Sequence, residues 1–208
     1  MEDIKLQDFY DKIIKGWMMG GLSTVSKECL GENFIPALCC FTFTEAVGLY
    51  LPKLDEDTEN YFKNNKIGKN GGRFYRCLFS LESKERFIEC DRKLRKNGVK
   101  KGIYQLRHRF AHKYLPNLVE PQHIQVEVVG SHKQNKGRLQ QLKDAGLFFP
   151  IVLKEDDERI RWIIINTVKY IEELRNLVDD VYNKIFIERD NDFVIAMHSG
   201  YRELLRDD

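Results

Sequence analysis

Apolar residues recur at three- and four-residue steps at the start of the chain, at Leu6, Phe9, Tyr10, Ile13 and Trp17. This spacing predicts one amphipathic helix that ends at the Gly20-Gly21 pair. A second helix is predicted from near Asn33, with Pro36 in its first turn and Pro52 beyond its end at about Tyr50. Its stripe is Phe34, Leu38, Phe41, Glu45 and Gly48, so Glu45 is expected on a buried face. A carboxylate there needs a partner: a structural ion pair or hydrogen bond with a neighbouring helix, or an arginine that it orients for catalysis.

Residues 53–72 pass from acidic to basic and close on Gly71-Gly72, the pattern of a loop. A third helix is predicted over Phe74, Cys77, Leu78, Leu81, Phe87 and Ile88, and "RKLRKNGVKKG" closes it with lysines and arginines. Past Pro116 the period shortens. "HIQVEVVG" (123–130) and "LFFPIVLK" (147–154) read as two strands, giving a small β-hairpin inserted at about 121–155. Two strands alone are marginal, so they must lie on the helices. From Ile160, the series Ile164, Thr167, Ile171, Leu174, Val178, Val181 and Ile185 keeps a four-three spacing behind the acidic "KEDDE". That series predicts one helix roughly 40 Å long. The tail "DFVIAMHSGYRELLRDD" is expected as a short helical or strand-like segment. The expected fold is a single, mainly α domain over 1–208 with a small inserted β-hairpin.

The 208 residues contain no apolar stretch of membrane-spanning length, and the start "MEDIKLQD" lacks an apolar leader, so a cytoplasmic protein with no membrane association is expected. Five cysteines with no C-x-x-C pair suggest buried, reduced thiols rather than a disulfide framework or zinc knuckle. The net charge of +2 conceals an asymmetry: residues 60–143 hold 20 Lys and Arg against 6 Asp and Glu, whereas the flanks hold 14 against 26. A segment that binds a polyanion has this character, and so does a fold that interleaves the two sets as surface ion pairs.

The stretch "YQLRHRFAHKYLPN", residues 104–117, gathers Arg107, His108, Arg109, His112 and Lys113 just ahead of a proline. Leu115 precedes Pro116 and is pushed out of helical geometry, so the helix must end at about Tyr114. Ile103, Leu106, Phe110 and Tyr114 share one face, Arg107 lies on its shoulder, and His108 and His112 lie opposite at i and i+4. Three readings stay open. The basic residues can simply complement the negative end of the helix dipole. The histidine pair has zinc spacing, but no E-x-x-H or third-ligand pattern accompanies it, so neither a metal nor a cofactor is expected. The third reading is catalysis on RNA by arginine and histidine. In it His108, Arg109 and Lys113, with Lys100 and Lys101 just upstream, contact the substrate backbone.

"RHRFAHKY" resembles the R-x4-H motif of the HEPN superfamily, with Arg107 and His112 in the two positions. It also resembles the extended R-x4-H-x-Y form, completed by Tyr114, of the toxin partners of minimal nucleotidyltransferases. The resemblance covers about eight residues closely. It implies an up-and-down HEPN-like helical bundle that forms a homodimer with two motifs facing one cleft. It implies metal-independent endoribonuclease activity, a toxin or defence role and an antitoxin protein as a further partner. Arg107 would then hold the phosphate, His112 move the proton, and Tyr114 hydrogen-bond or serve as a modification target. Glu45 would orient Arg107. The alternative is a non-catalytic HEPN-like or unrelated helical module that binds RNA, nucleotide or a protein partner.

Overall fold

The computed structural model describes residues 2–28, 34–113, 124–157 and 159–204. In chain order the elements are α1 (Glu2–Phe9), α2 (Met19–Glu28), α3 (Ile35–Val47), α4 (Glu56–Asn64), α5 (Lys69–Leu78), α6 (Lys84–Lys96) and α7 (Tyr104–Lys113), then β1 (Gln125–Val129), α8 (Lys136–Asp144), β2 (Ile151–Asp156), β3 (Arg159–Asn166), α9 (Thr167–Tyr182) and α10 (Asn191–Leu204). The protein is mainly helical with a small three-stranded sheet. Among the described residues, no helix is long and apolar enough to cross a membrane. The chain divides into two compact units: Met1–Gly21, Phe43–Leu81 and Leu174–Asp208 form the first, Leu22–Thr42 and Glu82–Glu173 the second.

In the first unit, π-helical turns at Tyr10–Met18 join α1 to α2. Their wider i→i+5 winding shifts the apolar stripe from the 3.6-residue period. Leu6, Tyr10 and Ile14 are therefore the buried positions, while Ile13 is 37% and Trp17 76% exposed. The Tyr10 hydroxyl donates to the Val178 carbonyl at 2.8 Å, and its ring packs on Tyr182 and Phe186. The predicted stop at Gly20-Gly21 is overridden. The helix continues to Glu28, because burial of Leu22 offsets a glycine penalty of about 1 kcal/mol per residue.

The stretch 53–72 is likewise not a loop, since α4 and the start of α5 occupy most of it. Asp55 caps α4 by accepting from the Thr58 N–H at 2.9 Å, three acidic residues fill the first turn, and Thr58 and Phe62 are buried. On α3 the buried positions are Ala37, Cys40, Phe41, Thr44 and Val47, one step round from the expected stripe. Small residues decide this face. A Cβ on Gly48 would lie 1.9 Å from the Arg73 carbonyl oxygen, so the chain end of α3 and α5 can meet only through a glycine. Glu45 is consequently half-buried, not central to the buried face. Gly48→Ala is expected to lower stability by about 1–3 kcal/mol, read as a lower urea midpoint, because two backbones must separate.

In the second unit, the predicted hairpin is corrected to a sheet of order β1-β3-β2. The two expected strands exist but do not pair: β1 runs parallel to β3, and β2 antiparallel to it, with Val152 opposite Ile164. The polar connection between them contains α8, held on the sheet by Arg138 donating to both oxygens of Glu127 at 2.7 Å. The same correction removes the first turns of the predicted 40 Å helix. Ile160 and Ile164 fit a four-three spacing, yet Ile163, Ile164 and Ile165 are all fully buried, which is the signature of a central strand with both faces covered. One face carries Val129, Val152 and Ile164, which cluster with Leu142 of α8. Beyond the strand, the expected spacing holds from Thr167 onward, with Ile171, Leu174, Val178, Val181 and Ile185 buried.

The third predicted helix is two, α5 and α6, broken at residues 79–83. At the restart in the second unit, Glu173, 1% exposed, accepts from the Ser83 N–H at 3.1 Å and from its hydroxyl at 2.6 Å. Burial raises the Glu173 carboxyl pKa above its ordinary value, and the Ser83 bonds and Lys169 only partly offset this. The folded state thus keeps this proton after the unfolded chain has lost it. The Glu173 contribution to stability is present below the ordinary carboxylate value, about 4.3, and declines as pH rises through the raised folded value. Glu173→Gln is expected to remove that decline. Urea midpoints measured from pH 4 to pH 7 should show the gap between wild type and variant shifting in favour of the variant. A constant gap would contradict the assignment.

Candidate functional site

Helix α7 carries the basic motif, and its anchorage is built from the second unit upward. Ile103, Leu106 and Phe110 are buried, as their spacing predicts. Phe110 stacks on Phe34 and Phe41 at ring separations of 6.2 and 5.8 Å, and Tyr170 meets both Phe41 and Phe87 edge-on. Burying one such aromatic side chain stabilises by about 1.5–3 kcal/mol, so the inner face of α7 is firmly held.

The start of α7 is fixed by a residue that the sequence pattern does not single out. Asp91 on α6 is fully buried. Its Oδ1 accepts from the Ile103 N–H at 2.7 Å and its Oδ2 from Arg95 Nε at 2.6 Å, while Arg95 Nη1 donates to the Lys100 carbonyl at 2.7 Å. Gly102 lies between with φ +54, and a Cβ there would fall 1.8 Å from Asp91 Oδ1. The basic run is therefore not just a solvated helix end: one buried carboxylate ties the end of α6 to the first turn of α7. The only sequence signal is an i, i+4 Asp-Arg pair ahead of a Gly, which is common.

Arg107 is half-buried on the shoulder of α7, with its guanidinium carbon 5.9 Å from the Tyr104 ring centroid. His108 is exposed, its ring 6.1 Å from that of Tyr104, and Arg109 is half-buried. Lys100 and Lys101 are exposed in the turn before α7. His112 and Lys113 belong to the last turn of α7 by backbone conformation, and Tyr114 lies outside the described residues. Positions 107 and 112 thus share one continuous helix, about 140° apart round its axis. Glu45 belongs to the first unit and Arg107 to the second.

Electrostatically, part of the basic excess is met by the acidic flanks. Lys93 pairs with Glu155 at 2.9 Å, and Lys69 and Arg73 both pair with Glu203. Among the described residues, no group of three or more His, Cys, Asp or Glu is placed to hold a metal ion. Cys40, Cys77 and Cys90 are buried free thiols, Cys39 is half-buried, and Cys29 lies outside the described residues. Burial raises the Cys90 thiol to about 12 and the other two buried thiols further, which leaves them poor nucleophiles. Set against protein-family models, curated proteins and solved structures, the chain finds no match in any of the three.

Proposed function

We propose that the chain is a HEPN-like, metal-independent endoribonuclease that works as a homodimer, in a toxin or defence setting. The observation that carries this reading is the placement of Arg107 and His112 in R-x4-H spacing on the last turns of one anchored helix. Arg107 carries a permanent, fork-shaped charge for the scissile phosphate, and His112 supplies an imidazole that exchanges a proton near neutral pH. Tyr114 has a supporting part, hydrogen bonding at the phosphate. Lys100, Lys101, His108, Arg109 and Lys113 contribute backbone contacts to RNA.

The angular offset makes the second subunit part of the reading. Because α7 stays helical through Lys113, Arg107 and His112 of one copy diverge, and each completes its site with the opposite residue of the partner. Mixing Arg107→Ala with His112→Ala protein tests this. Re-equilibrated dimers are expected to recover roughly a quarter of the wild-type cleavage rate, since half of the dimers are mixed and each holds one complete pair. No recovery above either variant alone would rule out a site shared in this way.

A further inference from the structure

A cleft of about 370 Å³ opens in the first unit, lined by α4, the first turns of α5 and the end of α10. Four cations, Lys63, Lys69, Arg73 and Arg76, face two carboxylates, Glu59 and Glu203. Helix α5 begins at Gly68 without a side-chain cap and has no acidic residue in its first turn. The anion at this helix start comes instead from α10: Lys69 and Arg73 both donate to Glu203 Oε1. Arg73 is 19% exposed and Glu203 31%, so this is a partly enclosed carboxylate held by two cations of the first turns of α5.

Two further features suit an entering ligand. Gly68 and Gly72 line the cleft, and a Cβ on either would meet nothing within 4 Å, so bare backbone is accessible there. Deeper in, Arg76 Nε and Glu59 Oε1 are buried without a hydrogen-bond partner, and burial holds the Arg76 guanidinium below its ordinary pKa against the opposing pull of Glu59. A group that brings negative charge and acceptor oxygens relieves that cost at Arg76 Nε, whereas Glu59 Oε1, itself an acceptor, calls for a donor on the ligand.

We propose that this cleft binds a small phosphate ester, whose phosphate takes the place of the Glu203 carboxylate between Lys69, Arg73 and the start of α5. Leu49, Phe62 and Ile67 give an apolar wall for the organic part, and the volume suits a ligand of nucleotide size. Phosphate brings three acceptor oxygens and more charge than the carboxylate it displaces. The two carboxylates in the lining disfavour a continuous nucleic-acid backbone. Glu203 is then a built-in competitor, and its removal opens the site. This inference stands apart from the ribonuclease reading, because none of its residues lies on α7.

Calorimetric titration of the full chain with pyrophosphate, adenosine 5′-monophosphate and adenosine tests it. The two phosphate compounds should bind and adenosine should not. Glu203→Gln should tighten binding about tenfold and Arg73→Ala weaken it at least tenfold, the effect of one charge-assisted hydrogen bond. Gly72→Leu, which adds a side chain into open space and favours the helix, should abolish binding without lowering the thermal midpoint. Neither phosphate compound binding wild type up to about 10 mM would overturn the proposal. So would weaker binding by a folded Glu203→Gln, which would make the Lys69, Arg73 and Glu203 cluster a structural ion pair only. An RNA without terminal phosphates that binds with the same sensitivity to Gly72→Leu would overturn the assignment to a small ester. Should Glu203→Gln fail to fold, Gly72→Leu and the adenosine control decide the question in the wild-type background.

Discussion

Replacing Asp91 with alanine is expected to destabilise the chain by about 3–5 kcal/mol, the loss typical of breaking a buried ion pair from one side. The carboxylate is fully buried and holds two donors at once, Ile103 N–H and Arg95 Nε. Its removal leaves the amide at the first turn of α7 and the guanidinium of Arg95 without acceptors, and opens a void beside Gly102. Asp91→Asn keeps an acceptor for Ile103 but turns an amide N–H₂ toward Arg95, so its loss should fall between wild type and alanine, at about 1–3 kcal/mol. Urea unfolding of the three proteins checks this order. A loss below about 1 kcal/mol for alanine would mean that Asp91 does not anchor α7. In partly folded Asp91→Asn protein, RNA cleavage should drop as well, although no residue of the motif is altered.

Where local pattern coincides with burial, the sequence is readable. The inner face of α7, at Ile103, Leu106 and Phe110, and the four-three series from Thr167 both stand in the structure where their spacing puts them. The misreadings have physical causes. Ile160 and Ile164 satisfy a helical period by coincidence, and only the parallel partner β1, more than thirty residues earlier in the chain, makes that segment a strand. Gly20 and Gly21 carry a local stop signal that buried Leu22 overrides. Residues 56–64 look too polar for a helix until the Asp55 cap and the acidic first turn are counted. The candidate site divides in the same way. Its motif residues are visible as a short string, whereas its anchor, Asp91, hides in a basic run because its partners, Ile103 N–H and Gly102, are backbone features. The sequence pointed to Glu45 as the buried carboxylate, yet among the described residues it is half-buried while Asp91 and Glu173 are fully buried.

The second large effect is catalytic. Arg107→Ala and His112→Ala are each expected to lower RNA cleavage by about 10²–10⁴-fold, the range for loss of a proton-transfer group or of charge stabilisation at a phosphate. Arg107→Lys should not restore the rate, because a point charge does not replace a two-pronged donor. Thermal midpoints of the His112→Ala protein should stay near wild type, since His112 sits at the helix end beyond the anchoring contacts of Asp91 and Phe110. Rising salt should weaken RNA binding of wild type and variants alike, because the Lys and Arg contacts to phosphate are common to both.

Cleavage of a labelled single-stranded RNA by wild-type and His112→Ala protein, in buffer with a chelator, decides whether the motif is a metal-independent ribonuclease site. The wild type is expected to cleave with the chelator present, and the folded variant to cleave at least about 10²-fold more slowly. Intact RNA with wild type, or equal cleavage by both proteins, would contradict it.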